Sequence, residues 1–125
     1  MYTLKIESKT DSGSNVVTVE ASGEIAGGLL SLKYNFDGAE YALKITEGSI
    51  VHERRGDVSL KMEFATDKQT QCTLEDATGK GAFEIRTEKL EVKFAGNSCE
   101  AVCVYSDDGG ESKTTLTVTA KPLKA

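Results

Sequence analysis

Histidine, proline and tryptophan are scarce or missing. The 125-residue chain contains one histidine (His52), one proline and no tryptophan. With a single histidine no Ser-His-Asp set stands out, and neither a G-x-S-x-G nor an H-E-x-x-H motif occurs. No two candidate ligands lie at a recognised metal spacing, and Gly79-x-Gly81 lacks the lysine and the following helix of a phosphate loop. We therefore predict a protein that is not an enzyme, with no catalytic residues, no metal and no cofactor.

Cysteines are few and odd in number: Cys72, Cys99 and Cys103. If Cys99 and Cys103 share one strand face, they lie about 13 Å apart at a rise of roughly 3.3 Å per residue. A disulfide needs Cα atoms within about 7 Å, so this pair should neither bridge nor hold one zinc ion together. We expect three free, buried thiols. The chain also shows no apolar leader region and no apolar run of about 20 residues, so we expect a cytoplasmic protein that does not enter a membrane.

Basic residues are fewer than acidic ones. Fifteen basic residues stand against 20 acidic ones, for a net charge of −5, and there is no run of lysine or arginine. Nucleic-acid-binding proteins usually carry a basic patch, so this class is disfavoured. The length suits one domain, residues 1–125, with residues 121–125 expected to form a short C-terminal tail.

Apolar residues alternate with polar ones along nearly the whole chain, which is typical of strands with one buried face. Glycine-rich and Asp/Asn-rich turns separate the strands, among them Asp37-Gly38, 65–68, Gly96-Asn97 and 107–110, and Gly23 within a long strand indicates a bend. This pattern predicts ten or eleven strands, with separate strands over 83–87 and 90–94. A sheet of that size closes to remove its edges, so we predict an all-β fold, a single up-and-down antiparallel barrel of about ten strands. The positions expected to face inward are Tyr2, Leu4, Ile6, Val17, Val19, Ala21, Ile25, Leu30, Leu32, Tyr34, Phe36, Cys72, Leu74, Phe83, Ile85, Leu90, Val92, Phe94, Leu116, Val118 and Ala120. Both faces of residues 99–106 are partly apolar, so the orientation of that strand stays open.

The segment from Tyr41 to Phe64 predicts a three-stranded meander. A two-residue Glu47-Gly48 loop places Ile45 opposite Ile50, Leu43 opposite His52 and Tyr41 opposite Arg54. It also places Glu40 opposite Arg55 on the outer face. For the second turn, a three-residue loop keeps the apolar face buried and pairs Arg54 with Val58 and His52 with Leu60.

This register points one histidine and one arginine toward the apolar interior. Arg54 is therefore a candidate for gripping a ligand carboxylate, with His52, Tyr41 and Tyr34 on the same wall. The alternative for Arg54 is an internal carboxylate, a backbone carbonyl or solvent at the rim. The alternative for His52 is a neutral core histidine with one hydrogen bond.

Several short motifs resemble the YwiB-like family of uncharacterised bacterial proteins. They are Leu43-Lys44-Ile45 with Glu47-Gly48, Ile50 through Arg54-Arg55-Gly56, Met62 with Phe64, Gly79, Ile85-Arg86-Thr87 and Leu90, and the resemblance extends over about residues 3–120. It implies a calycin-like (lipocalin-like) barrel in the cytoplasm of Gram-positive bacteria, without an assigned function. The chain departs from the family at Asp76-Ala77-Thr78-Gly79, where a Tyr-Pro-Tyr-Gly-like step is usual, and it lacks the early tryptophan of true lipocalins.

Two hypotheses for function follow. The first is a non-enzymatic barrel that binds a small, amphipathic ligand with an anionic group, since a closed barrel of eight or more strands can hold one small molecule. The alternative is a structural or regulatory barrel with a filled core and no ligand, which contacts another protein through an exposed apolar patch. Neither hypothesis involves nucleic acid or a membrane, and the oligomeric state is left open.

Overall fold

Ten antiparallel strands make up a computed structural model that describes residues 1–66, 69–107 and 112–123. The strands are β1 (Tyr2–Thr10), β2 (Gly13–Ala26), β3 (Leu29–Phe36), β4 (Ala39–Thr46), β5 (Ser49–Arg55), β6 (Ser59–Ala65), β7 (Gln69–Asp76), β8 (Gly79–Ala95), β9 (Ser98–Asp107) and β10 (Lys113–Pro122). The predicted turns at 65–68 and 107–110 and the end of the predicted tail fall partly outside the described residues. The prediction that the tail begins at residue 121 is wrong, because β10 continues through Pro122.

Each strand pairs with its neighbours in sequence, and β1 pairs with β10 to close a barrel. The predicted all-β, up-and-down antiparallel architecture is thereby confirmed. No helix in the described part of the chain is long and apolar enough to cross a membrane.

Strand β2 bends at Gly23, as its sequence predicts. The residue has φ +142°, and a Cβ added there would lie 2.0 Å from the carbonyl oxygen of Ser31. Before the bend β2 pairs with β1 as far as Ala21, and from Ser22 onward it pairs with β3. The missing side chain lets β3 approach closely where the wall of the barrel turns a corner.

Strand β8 is a single strand of 17 residues, which corrects the prediction of two strands over 83–94. Its register against β9 shifts between Thr87 and Lys89, so Glu88 is an extra residue. A bulge of this kind moves the inward positions from odd to even numbers. The change of phase between Ile85 and Leu90 is therefore a bulge and not a turn.

The core fills the barrel with aliphatic and small side chains. Residues that are at most 1% exposed include Leu4, Leu30, Leu32, Leu43, Ile45, Ile50, Phe64, Ile85 and Val118, together with all three cysteines. Strand β9 turns Cys99, Ala101 and Cys103 inward, which settles its orientation. The three thiols are free, as predicted.

Two aromatic residues expected in the interior are exposed. Phe36 is 41% exposed and Phe83 is 46% exposed. Both lie toward the end of the barrel that carries the β3–β4, β5–β6 and β7–β8 connections, which we call the mouth. Phe36 is the last residue of β3, at the mouth, whereas Phe83 pairs with the buried Cys72 and lies one pleat further in than Gly81.

Candidate functional site

The pairing of β3, β4 and β5 brings all four candidate residues together. Tyr34 pairs with Tyr41, and Tyr41 pairs with Arg54. His52 precedes Arg54 by one pleat and lies opposite Leu43. The register predicted from the Glu47-Gly48 loop is confirmed, and it places the four side chains on the inner face close to the mouth.

The second turn was predicted with the wrong register. Arg54 pairs with Leu60 rather than Val58, and His52 pairs with Met62 rather than Leu60. Residues 56–58 lie between the strands, so β6 begins at Ser59. A slip of two residues preserves which face is buried, and burial alone could not distinguish the two registers.

The three rings form a stacked row. The centroids of Tyr34 and Tyr41 are 4.9 Å apart with nearly parallel planes, and those of Tyr41 and His52 are 5.6 Å apart. The Tyr34 hydroxyl lies 2.7 Å from Nε2 of His52, a hydrogen bond in which the hydroxyl can donate to the neutral imidazole. The row therefore holds His52 in a fixed orientation.

Burial determines the protonation of this row. It lowers the pKa of His52 to about 4, so the imidazole is neutral near pH 7. It raises the pKa of Tyr34, with a further contribution from Tyr41, so the phenol keeps its proton. Loss of hydration disfavours the charged form of both groups. The row is thus an uncharged hydrogen-bonded wall, which matches a neutral core histidine rather than a general base at neutral pH.

Arg54 supplies the charge that the row lacks. Its Nε donates to the Tyr41 hydroxyl at 3.2 Å, and its Nη1 donates to the backbone carbonyl of Val58. The residue is half-buried. Among the described residues no carboxylate comes within 4.0 Å of this guanidinium. Backbone and hydroxyl contacts thus orient Arg54 without neutralising its charge.

A shallow opening of about 750 Å³ adjoins Arg54 at the mouth, and its rim of outward side chains brings the lining to four basic residues and two acidic ones, Glu53 and Glu75. Leu60, Leu74 and Gly81 pair side by side across β6, β7 and β8 and form its inner wall, and Leu74 is 36% exposed. These positions were predicted to face inward or left unassigned, but none was assigned to the site. The cross-strand register beyond Arg54 could have found them only with the correct second turn, since the predicted one led to Val58 instead of Leu60.

A second depression, of about 370 Å³, lies against the same strands and is lined chiefly by outward side chains. Glu40 and Arg55 face each other there as predicted, but they do not come within ion-pair distance. In the described ranges no group of three or more histidine, cysteine, aspartate or glutamate residues could hold a metal ion. The mouth offers hydrogen-bond donors and acceptors, the charge of Arg54 and apolar surface.

Comparisons with known proteins agree with the barrel. Residues 3–114 match a family described as Domain of unknown function (DUF1934). A structure titled "Crystal structure of ywiB protein from Bacillus subtilis" superposes with a TM-score of 0.75, covering 98% of this chain and 90% of that chain at 16% identity. At that identity the likeness establishes the fold alone. No curated protein sequence matches the chain.

Proposed function

We propose that this chain, which belongs to the YwiB-like family described as Domain of unknown function (DUF1934), is a non-enzymatic barrel that binds a small amphipathic anion at its mouth. Within its described part, the calycin-like barrel leaves no open interior for a ligand, since aliphatic side chains fill its core. A ligand must therefore bind where the packing ends and the inner face meets solvent.

The observation that carries the proposal is the state of Arg54. Its guanidinium is oriented by Tyr41 and by the Val58 carbonyl, yet it meets no carboxylate among the described residues. A guanidinium has five N–H donors, so two contacts leave several for a planar anion. An oriented donor loses less entropy on binding than a flexible one. A ligand carboxylate would complete the set.

The wall beside Arg54 suits the apolar part of such a ligand. Leu60 and Leu74 present aliphatic surface, and Gly81, beside Leu74 on the next strand, leaves that part of the wall without a side chain. Burial of apolar surface stabilises a complex by about 25 cal/mol per Å², so a short alkyl chain would add appreciable affinity. Charge at one end and apolar surface at the other favour an amphipathic carboxylate over a sugar or a nucleotide.

Native mass spectrometry of protein purified from its host tests whether a ligand is present. Titration calorimetry with octanoate, octanol and octylamine tests its chemistry. We expect octanoate to bind and the other two compounds to bind at least about tenfold more weakly, because hydrogen bonds to a charged group contribute roughly 1.5–3 kcal/mol. Arg54→Met should abolish the preference for octanoate.

Arg86→Met is the matched control, because Arg86 is exposed and does not line the opening. It should bind octanoate as the wild type does. The proposal fails if the three compounds bind equally well, if none binds, or if both arginine variants lose binding to the same extent.

A second function is favoured by the filled core, which this alternative expects, and by a different feature of the mouth. Phe36, Leu74 and Phe83 are all at least 36% exposed there, and such residues mark protein contacts as well as ligand sites. In this alternative the barrel is a structural or regulatory partner with no ligand. A native spectrum that shows a protein partner and no small molecule would favour it.

We also propose that the protein acts in the bacterial cytoplasm. Support comes from its three free cysteines, all buried, which suit a reducing compartment.

A further inference from the structure

One part of the barrel wall has a strand neighbour on only one side. Residues 13–21 of β2 pair with β1, whereas pairing of β2 with β3 starts at Ser22. Within the described residues, this stretch is paired with no second strand, and β3 continues only to Phe36, three residues past Lys33, the partner of Ser22. It forms an open edge of nine residues, which we call the β2 edge.

The β1–β2 hairpin determines which backbone groups face outward from the β2 edge. Thr10 pairs with Gly13 across a two-residue loop. The pair that closes such a loop is a hydrogen-bonded one. Hydrogen-bonded and non-hydrogen-bonded pairs then alternate along the hairpin. The backbone N–H and C=O groups turned away from β1 are consequently those of Ser14, Val16, Thr18 and Glu20.

Another open edge of the same barrel is guarded. Strand β8 pairs with β7 only as far as Arg86, so residues 88–95 have no strand partner on that side within the described part of the chain. That edge carries the bulge and the outward charges of Lys89, Glu91 and Lys93. Bulges and charged side chains, lysine above all, are the devices that keep an edge from pairing with another chain.

The β2 edge has none of these devices over most of its length. Residues 14–19 read Ser-Asn-Val-Val-Thr-Val, with no charge, no proline and no bulge. Val16 is 46% exposed on its outer face. Valine and threonine are strong strand formers. The edge is therefore open, regular and chemically suited to accept one more strand.

We infer that the β2 edge pairs antiparallel with the β2 edge of a second copy of this chain. Pairing Val16 with Thr18 of the other copy also pairs Ser14 with Glu20, and a twofold axis then passes near Val17. The only charge in the segment, Glu20, meets serine rather than another glutamate. The same patch serves both copies, as a twofold interface requires.

Sedimentation velocity from about 10 to 500 µM protein, at physiological salt, measures the predicted dimer. We expect a reversible monomer–dimer equilibrium in the wild type. Val16→Lys should weaken it at least about tenfold, because it places a lysine on the edge. Leu29→Lys is the matched control: Leu29 is 43% exposed but lies at the opposite end of the barrel, so the dimer should persist.

Hydrogen exchange on the wild type gives a readout that needs no variant. The amides of Val16, Thr18 and Glu20 should exchange several-fold more slowly at high than at low protein concentration, while those of residues 88–95 should not change. A wild type that stays monomeric at about 500 µM would overturn the inference. So would a dimer that Val16→Lys leaves intact, or one whose protected amides lie elsewhere.

Discussion

Acidification from pH 7.5 to pH 5 should destabilise the barrel, and His52 should account for the loss. Burial lowers the pKa of His52 from 6.5 to about 4 in the folded protein. Between these two values the unfolded chain binds a proton that the folded chain does not. The free energy of unfolding therefore has its full value above pH 6.5 and falls as the pH drops toward 4.

The size of the effect follows from the two pKa values. Each unit of difference corresponds to about 1.4 kcal/mol, so the complete loss is about 3 kcal/mol, of which about 2 kcal/mol should be reached at pH 5. This is a substantial share of the 5–15 kcal/mol by which proteins of this kind are typically stable. The protein should stay folded at pH 5, with a measurably lower free energy of unfolding.

Urea unfolding followed by far-ultraviolet circular dichroism at several values between pH 7.5 and 5 measures the loss. The window isolates one side chain, because the chain has a single histidine and most carboxylates titrate near pH 4. Asp76, whose pKa is lowered by hydrogen bonds from Thr78, contributes only below that window. His52→Gln should remove most of the slope between pH 6.5 and 5.

An NMR titration of the imidazole in the folded wild type is independent of any variant. It should give a pKa near 4. A value near 6.5, or a slope that persists unchanged in His52→Gln, would refute the argument that desolvation controls this residue.

Two further predictions concern the wall and the thiols. Gly23→Ala should lower the free energy of unfolding by at least about 2 kcal/mol, because its Cβ would meet the Ser31 carbonyl. Gly48→Ala, with nothing within 4 Å of its Cβ, should change it by less than about 1 kcal/mol. Equal losses in urea unfolding would contradict the close approach of β3 to Gly23. A thiol reagent should count three cysteines per chain in denaturant without reductant. It should react very slowly with the folded protein at pH 8, since burial raises the pKa of Cys99 to about 11 and that of Cys103 to about 12. Fast labelling of the native barrel would contradict this.

The sequence predicts the architecture well because alternation and turn residues act locally. Period-two patterns reveal which face of each strand is buried, and the Glu47-Gly48 loop sets one register to the residue. The second turn offers Gly56-Asp57, but a two-residue loop there would turn the apolar face of β6 to solvent, so this dipeptide does not set the register. Burial alone accepts any even slip, and the pairing of Arg54 with Leu60 instead of Val58 is a slip of two.

Depth along the barrel is what alternation cannot report. Phe36 and Phe83 have the phase of interior residues but remain exposed, Phe36 as the last residue of β3 and Phe83 as the fifth residue of β8. The bulge at Glu88 was visible only as a change of phase, which a turn would also produce. Depth and bulges depend on how far each strand extends past its neighbours, and this is a property of the closed sheet rather than of any segment.

Depth also separates the roles of His52 and Arg54. The two residues share a strand and a face, and they lie one pleat apart, about 6.6 Å along β5. His52 lies further from the mouth, where burial keeps it neutral and it is hydrogen-bonded to Tyr34. Arg54 lies nearer the mouth, where Tyr41 orients it beside an apolar opening. A titration of His52 therefore tests how strongly the wall is desolvated, while octanoate binding tests whether Arg54 binds a carboxylate. The two predictions are independent, so a negative result for one does not contradict the other.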